Sequence, residues 1–333
     1  MNVLKWTAAV LLLLILIYIL GPSAETPDIH SIPIKFRSLE TQQLDSLIQN
    51  RENNTVALKK GNNAKIVWAD SLTKKKTPYS IVYLHGFSAS HAEGYPVHMN
   101  LAKRYGCNLY LSRLYAHGLH HQEPLLELTA DKYIESAKEA IAIGKQLGDK
   151  VILFSTSTGS TLSLILTAND PAIAGLIMYS PNIDLYDSKS FLLTEHWGLQ
   201  LARLVVGDKY YTFAASPEAQ QYWNTKYRIE ALVVLKSILN ATMHPKTFQK
   251  IHVPVFMGYY FKDQTHHDDV VSIPRMMDMF EQLSTANKLK RKVNFPDAGY
   301  HVIGSSYWNP DTKPVEDSTA KFLEEIMHMQ PMN

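Results

Sequence analysis

Four apolar residues, Val151-Ile152-Leu153-Phe154, run straight into five small polar ones, Ser155-Thr156-Ser157-Thr158-Gly159, and the chain turns apolar again over Leu162 to Leu166. A short apolar run bounded by small residues fits a strand buried on both faces. The small polar residues and the second apolar stretch fit a tight turn that opens a helix. Ser157 then stands at the apex of the turn. A serine held there has its hydroxyl exposed, and the next backbone N–H faces whatever that hydroxyl attacks.

The same rhythm recurs along the chain. Strand-like runs occupy residues 64–68, 80–84, 108–111, 151–154, 173–179, 255–260 and 292–295. Helical spacing occupies 39–49, 131–147, 272–283 and 315–327, with Thr129 placed to cap the second of these and Gly148 to end it. Strands alternating with helices imply an α/β fold, a mostly parallel central sheet with helices on both faces. Residues 182–251 interrupt the alternation. They are too long for a loop, lack a strong strand signal and carry many aromatics, among them Trp197, Tyr211, Phe213, Trp223 and Tyr227. They read as a helical insertion whose rings either line an apolar pocket or pack the insertion onto the body.

The first residues stand apart. Residues 6–20 are apolar except for Thr7 and the hydroxyl of Tyr18, and Gly21-Pro22-Ser23 ends the run. At about 1.5 Å per residue such a helix spans roughly 22 Å, against a bilayer core of roughly 30 Å. A secretory signal peptide and a membrane anchor over residues 1–24 both fit. A Pro-rich linker over 25–37 and the main domain over 38–333 come next. Lys5 flanks the run on one side and no lysine or arginine returns before Lys35, which favours a cytoplasmic N-terminus and an exported, periplasmic or extracytoplasmic body. A net charge of +2 gives no reason to expect a nucleic-acid partner. With Cys107 the single cysteine, no intramolecular disulfide can form, and its surroundings suit a small buried hydrophobe.

Acyl transfer needs a nucleophile, a base, a group to orient the base and donors for the oxyanion. Ser157 is the candidate nucleophile, set against the plainer reading of a serine in a polar turn. His301, in Ala298-Gly299-Tyr300-His301, lies after the final strand and is the candidate base; the competing reading is one loop histidine among fourteen. For the acid, Asp263, Asp268 and Asp269 all come after the strand at 255–260. Asp268 is favoured because Val270 and Val271 would fix its loop, and Asp269 reads as solvated or capping. The chain order nucleophile, acid, histidine results. Tyr83-Leu84-His85-Gly86-Phe87 ends an early strand with a His-Gly pair, so the backbones of Phe87 and Thr158 are the candidate oxyanion donors. His85 and Gly86 support that loop. His117 with His120-His121, and His266-His267-Asp268-Asp269, have metal-ligand residue types without metal-ligand spacing, and His117, His120 and His121 read as loop-stabilising or pocket-rim residues. No Gly-rich phosphate loop is present. Neither a metal nor a cofactor is expected.

These motifs resemble the α/β-hydrolase superfamily, in particular its monoacylglycerol lipase and small carboxylesterase branch. Ser155-Thr156-Ser157-Thr158-Gly159 is similar to the G-x-S-x-G nucleophile elbow with Ser155 in place of the first glycine. Leu84-His85-Gly86-Phe87 resembles the oxyanion loop, and Leu114-Tyr115-Ala116-His117-Gly118 resembles the R-x-x-G-H-G segment with Ala116 for a glycine. The resemblance runs from about residue 80 to 327 and implies a serine esterase or lipase with a cap over an acyl pocket, acting on a small acyl ester. Amide or thioester cleavage would use the same residues. A non-catalytic binding module tethered to the membrane is the alternative that the altered elbow and the N-terminal run suggest.

Overall fold

The computed structural model describes residues 2–28 and 39–332. Most of the expected linker at 25–37 therefore lies outside the described residues. Seven strands form one sheet in the order β1-β3-β2-β4-β5-β8-β9, with β1 Lys65–Val67, β2 Thr77–Leu84, β3 Asn108–Leu111, β4 Gly148–Thr156, β5 Ile173–Tyr179, β8 Val255–Tyr259 and β9 Lys290–Asn294. Only β1 is antiparallel to its neighbour; the other five pairings are parallel.

Period-two geometry divides each central strand between two cores. Val82 and Leu84, Val151 and Leu153, Leu176 and Met178, Val255 and Met257 face one side. Ile81 and Tyr83, Ile152 and Phe154, Ile177 and Tyr179, and Phe256 face the other. Both faces are dry, which is why these strands read as unbroken apolar runs rather than alternating ones. The first face is covered by α2 Thr41–Asn53, α4 Ala130–Leu147, α5 Thr158–Thr167 and α10 Ile273–Gln282; the second by α3 Val97–Arg104 and α11 Lys313–Glu325. Thr129 caps α4 by accepting from the Lys132 amide, and Gly148 ends it.

Between β5 and β8 the chain leaves the sheet and builds the insertion. It contains a 3-10 segment Ser188–Thr194, α6 Gly198–Val206, β6 Tyr210–Thr212, α7 Pro217–Gln220, β7 Lys226–Arg228, α8 Ile229–Thr242 and α9 Pro245–Phe248. The insertion is mostly helical, as expected, and adds β6 and β7, which pair as a short antiparallel ribbon. Each is three residues long, too short to show an alternation. The insertion is bolted to the body. Lys59 Nζ donates to the carbonyls of Gln220 (2.8 Å) and Trp223 (2.9 Å), and Arg228 pairs with Glu123 at 2.6 Å. Leu235, Ile238 and Leu239 of α8 join the first core.

The N-terminal run forms α1, Asn2–Ile19. Its side chains are exposed all round, from Leu4 to Leu20. Among the described residues no helix is long and apolar enough to cross a membrane.

Candidate active site

Parallel strands deliver their C-terminal ends to one edge of a sheet, and that edge gathers the functional side chains. Ser157 follows β4, His85-Gly86-Phe87 follow β2, β8 leads to Asp263–Asp269, and β9 leads to His301.

Ser157 adopts φ 52° and ψ −121°, a conformation that costs a non-glycine residue energy. The surroundings hold it there. Its amide donates to the Tyr179 carbonyl (2.9 Å), and its carbonyl accepts from Ser160 (2.9 Å) and Asn182 (3.1 Å). A Cβ on Gly159 would lie 1.9 Å from the Leu84 carbonyl oxygen, so the turn requires glycine at that place. Ser155 is accommodated where a glycine was expected. It is fully buried, and its hydroxyl is satisfied by Ser160 Oγ at 3.1 Å and the Ile177 carbonyl at 3.3 Å.

His301 is 5% exposed, and its Nδ1–H donates to Asp268 Oδ2 at 2.6 Å. The other Asp268 oxygen accepts from the amides of Val270 (3.0 Å) and Val271 (3.1 Å). Burial works against the charged imidazole, but the Asp268 carboxylate outweighs it and holds its pKa above the ordinary 6.5. Its Nε2 is buried with no hydrogen-bond partner among the described residues. Asp263, the rival acid, is exposed and committed to Thr265 and His266 in its own turn. Asp269, expected to be solvated or capping, lines the cavity while staying exposed.

The loop after β2 has its amides assigned one by one. Gly86 N–H donates to Glu93 Oε2 (2.5 Å), and Ser88 N–H to His117 Nε2 (3.0 Å). Between them, the Phe87 N–H engages no acceptor among the described residues. The Thr158 N–H is the first of α5 and has no intrahelical acceptor. His85 and His117 hold this loop as neutral bases. Burial first, and neighbouring charge second, pushes His85 far below 6.5; burial brings His117 to about 4. His85 Nδ1–H donates to the Gly86 carbonyl (2.9 Å) and its Nε2 accepts from Leu114 N–H (3.1 Å). His117 Nδ1–H donates to the Tyr115 carbonyl (2.7 Å). Ala116, where the resemblance has glycine, is held at φ 64°. His120 and His121 lie outside the cavity lining. Among the described residues no cluster of His, Cys, Asp or Glu could hold a metal ion.

Ser157, Thr158, Phe87 and His301 all line one cavity of about 600 Å³. The insertion forms its roof and far wall with Leu192, Leu201, Val205, Tyr211, Leu232 and Leu235, among others. Of the aromatics singled out from sequence, Tyr211, Phe213, Trp223 and Tyr227 reach it, whereas Trp197 does not. Glu93 also reaches it, and no motif in the sequence marked that residue.

A seven-stranded, mostly parallel sheet with helices on both faces, a serine elbow after a central strand and a capping insertion before the penultimate strand is the α/β-hydrolase fold. Solved structures share it. A chain of the metagenome-derived lipolytic enzymes LipS and LipT superposes with a TM-score of 0.63 at 14% identity, covering 80% of this chain and 99% of that one. A soluble variant of monoglyceride lipase from Saccharomyces cerevisiae, in complex with a substrate analog, gives 0.56 at 12% identity, covering 78% and 91%. In sequence, 117 residues are 26% identical to a thermostable monoacylglycerol lipase of Bacillus sp. (strain H-257), which is 35% of this chain and 46% of that protein's length. No family model matches.

Proposed function

We propose that this protein is a serine hydrolase that cleaves carboxylic esters, in the manner of an esterase or lipase, through an acyl-enzyme on Ser157. The observation that carries this reading is His301: one ring nitrogen tied to Asp268, the other buried, unpartnered and in the cavity that Ser157 lines. His301 takes the Ser157 proton as Oγ attacks the ester carbonyl, then gives it to the departing alcohol. Asp268 fixes the imidazole tautomer and offsets the positive charge that forms. The Phe87 and Thr158 amides receive the oxyanion. Water then attacks the acyl-enzyme by the reverse sequence, with His301 again the base, and frees the acid. The apolar roof fits an acyl chain, and the lipolytic relatives of the same fold agree with that substrate class.

Hydrolysis of p-nitrophenyl esters of graded chain length, run beside matched anilides and thioesters, tests this. The expected result is turnover of the esters, lost on Ser157→Ala. Turnover confined to anilides or thioesters would move the assignment to those substrates. A protein that binds the esters and turns over none of the three would be the non-catalytic module.

We propose also that α1 stays with the mature, exported protein and holds it at a membrane. Trp197 Nε1–H donates to the Ile17 carbonyl (2.9 Å), His196 Nδ1–H to that of Gly21 (2.7 Å), and Trp197 N–H to that of Pro22 (2.8 Å). These contacts favour retention over cleavage after residue 24. The side chains from Ala8 to Ile17 are all apolar and exposed on every side, a surface that calls for an apolar surrounding. Intact-mass measurement on protein from the membrane fraction should give the full chain; a mature form beginning near residue 25 would contradict the proposal.

A further inference from the structure

Glu93 sits in the short 3-10 turn His91–Gly94, 2% exposed, at the inner end of the cavity. None of the catalytic steps proposed for Ser157, His301 and Asp268 uses it. It is fastened to the oxyanion loop by the Gly86 amide. It is also close to the nucleophile: a Cβ on Gly86 would lie 2.6 Å from Glu93 Oε1 and 3.0 Å from Ser157 Cβ. Glycine at 86 thus lets a carboxyl group and the nucleophile's Cβ approach the same loop from either side.

The groups around Glu93 do little to favour a negative charge. Tyr83 of β2 and Tyr133 of α4 face it, and both phenols are themselves pushed up, first by burial and next by Glu93. His301 faces it from the loop after β9. His91 on its own turn and His98 on α3 are held neutral, at about 3 and about 4, chiefly by burial. Among the described residues no lysine or arginine is paired with it. Burial therefore dominates, and the Gly86 amide, His301 and Tyr83 only partly oppose it, leaving the Glu93 pKa at about 8.

We infer that Glu93 is a positioning residue for the ester-cleaving reaction, holding the oxyanion loop through Gly86 while neutral and disabling the site when it ionises. The inference rests on the proposed serine-esterase reading. With Glu93 neutral, the transition state sets one oxyanion and the Asp268 carboxylate against one imidazolium. Ionised Glu93 adds a further negative charge beside the oxyanion loop, where charge is poorly screened. It also raises the proton affinity of His301, which works against the free base.

The pH dependence of kcat/KM on p-nitrophenyl butyrate, for the full chain and for Glu93→Gln, tests this. The amide keeps an acceptor for Gly86 and cannot ionise. The unsubstituted protein should lose activity above about pH 8, by about tenfold per pH unit. Glu93→Gln should lose less than about tenfold at neutral pH and show no such alkaline loss. An alkaline limb that persists unchanged in Glu93→Gln overturns the inference, as does a fall of more than about 100-fold at neutral pH in a variant that still reacts with a fluorophosphonate. An infrared titration of the unsubstituted protein guards against a variant that fails to fold: a buried protonated carboxyl signal should disappear near pH 8, and its absence at neutral pH overturns the inference. If fluorophosphonate labels Ser157 but the limb does not move, Glu93 alone has been misread. If neither labelling nor turnover occurs in the unsubstituted protein, the esterase reading itself fails and takes this inference with it.

Discussion

The sheet edge and the insertion form the same cavity by opposite means. At the edge, directed backbone geometry builds the proposed site: a positive φ at Ser157, a glycine at 159 that touches a carbonyl, and loop amides bound singly to Glu93 and His117. On the insertion, apolar bulk takes over. Leu204 and Val205 of α6 are 78% and 85% exposed, and Leu201, Val205 and Leu232 reach the cavity by packing rather than by hydrogen bonds. A catalytic edge tolerates little displacement because its groups act through directed bonds. A roof built by apolar packing accepts many sequences. The edge should therefore govern rate, and the insertion substrate preference.

Substitutions can overturn that division, and among those that leave the nucleophile in place the heaviest loss should come from Asp268. Asp268→Asn should reduce kcat by on the order of 10⁴-fold, because the amide fixes the wrong imidazole tautomer. The same variant has a pH signature. His301 must be neutral to act as base, so kcat/KM rises with pH through its pKa. Because that pKa is raised, the acid limb should lie above 6.5 in the unsubstituted protein. Removing the Asp268 charge should move the limb to lower pH; an unmoved limb would mean Asp268 does not face the catalytic base.

Two glycines carry the contrast into stability. Gly159→Ala would force a methyl to 1.9 Å from a backbone carbonyl, and denaturant unfolding should show a loss above about 4 kcal/mol or no folded protein. Gly207→Ala, at the end of α6, has the same class of substitution at φ 75° but open space around it, and should cost only about 1 kcal/mol. Equal losses would remove the distinction between a constrained edge and a permissive roof. The mildest change belongs to the roof. Leu201→Trp should lower kcat/KM for long-chain esters by about tenfold while leaving short-chain esters within about twofold. A uniform loss across chain lengths would place Leu201 in the chemistry instead.

The edge left fixed spacings in the sequence, whereas the insertion showed its extent and its helical character but not its ribbon, for the same reason. Directed chemistry leaves fixed spacings: the apolar run before Ser157, Gly159 two residues on, the His-Gly pair at the end of β2, a histidine after the last strand. Both cores could be anticipated because parallel strands are apolar on two faces. Asp268 and Asp263 could not be separated by spacing alone, since both come after β8. What separates them in space is that Val270 and Val271 amides fasten Asp268 under His301, while Asp263 closes an exposed turn. Glu93 left no trace in the sequence because its position depends on a 3-10 turn folding back on Gly86. The β6–β7 ribbon was missed because three-residue strands such as Lys226–Arg228 carry no pattern.

Every role proposed for this cavity depends on the Ser157 hydroxyl being its activated nucleophile. Reaction of the intact protein with a fluorophosphonate, followed by peptide mass mapping, tests that dependence without an intermediary. One modified residue is expected, Ser157, with labelling abolished in Ser157→Ala and strongly slowed in Asp268→Asn. An unlabelled protein, or a label that persists at another serine in Ser157→Ala, would contradict it.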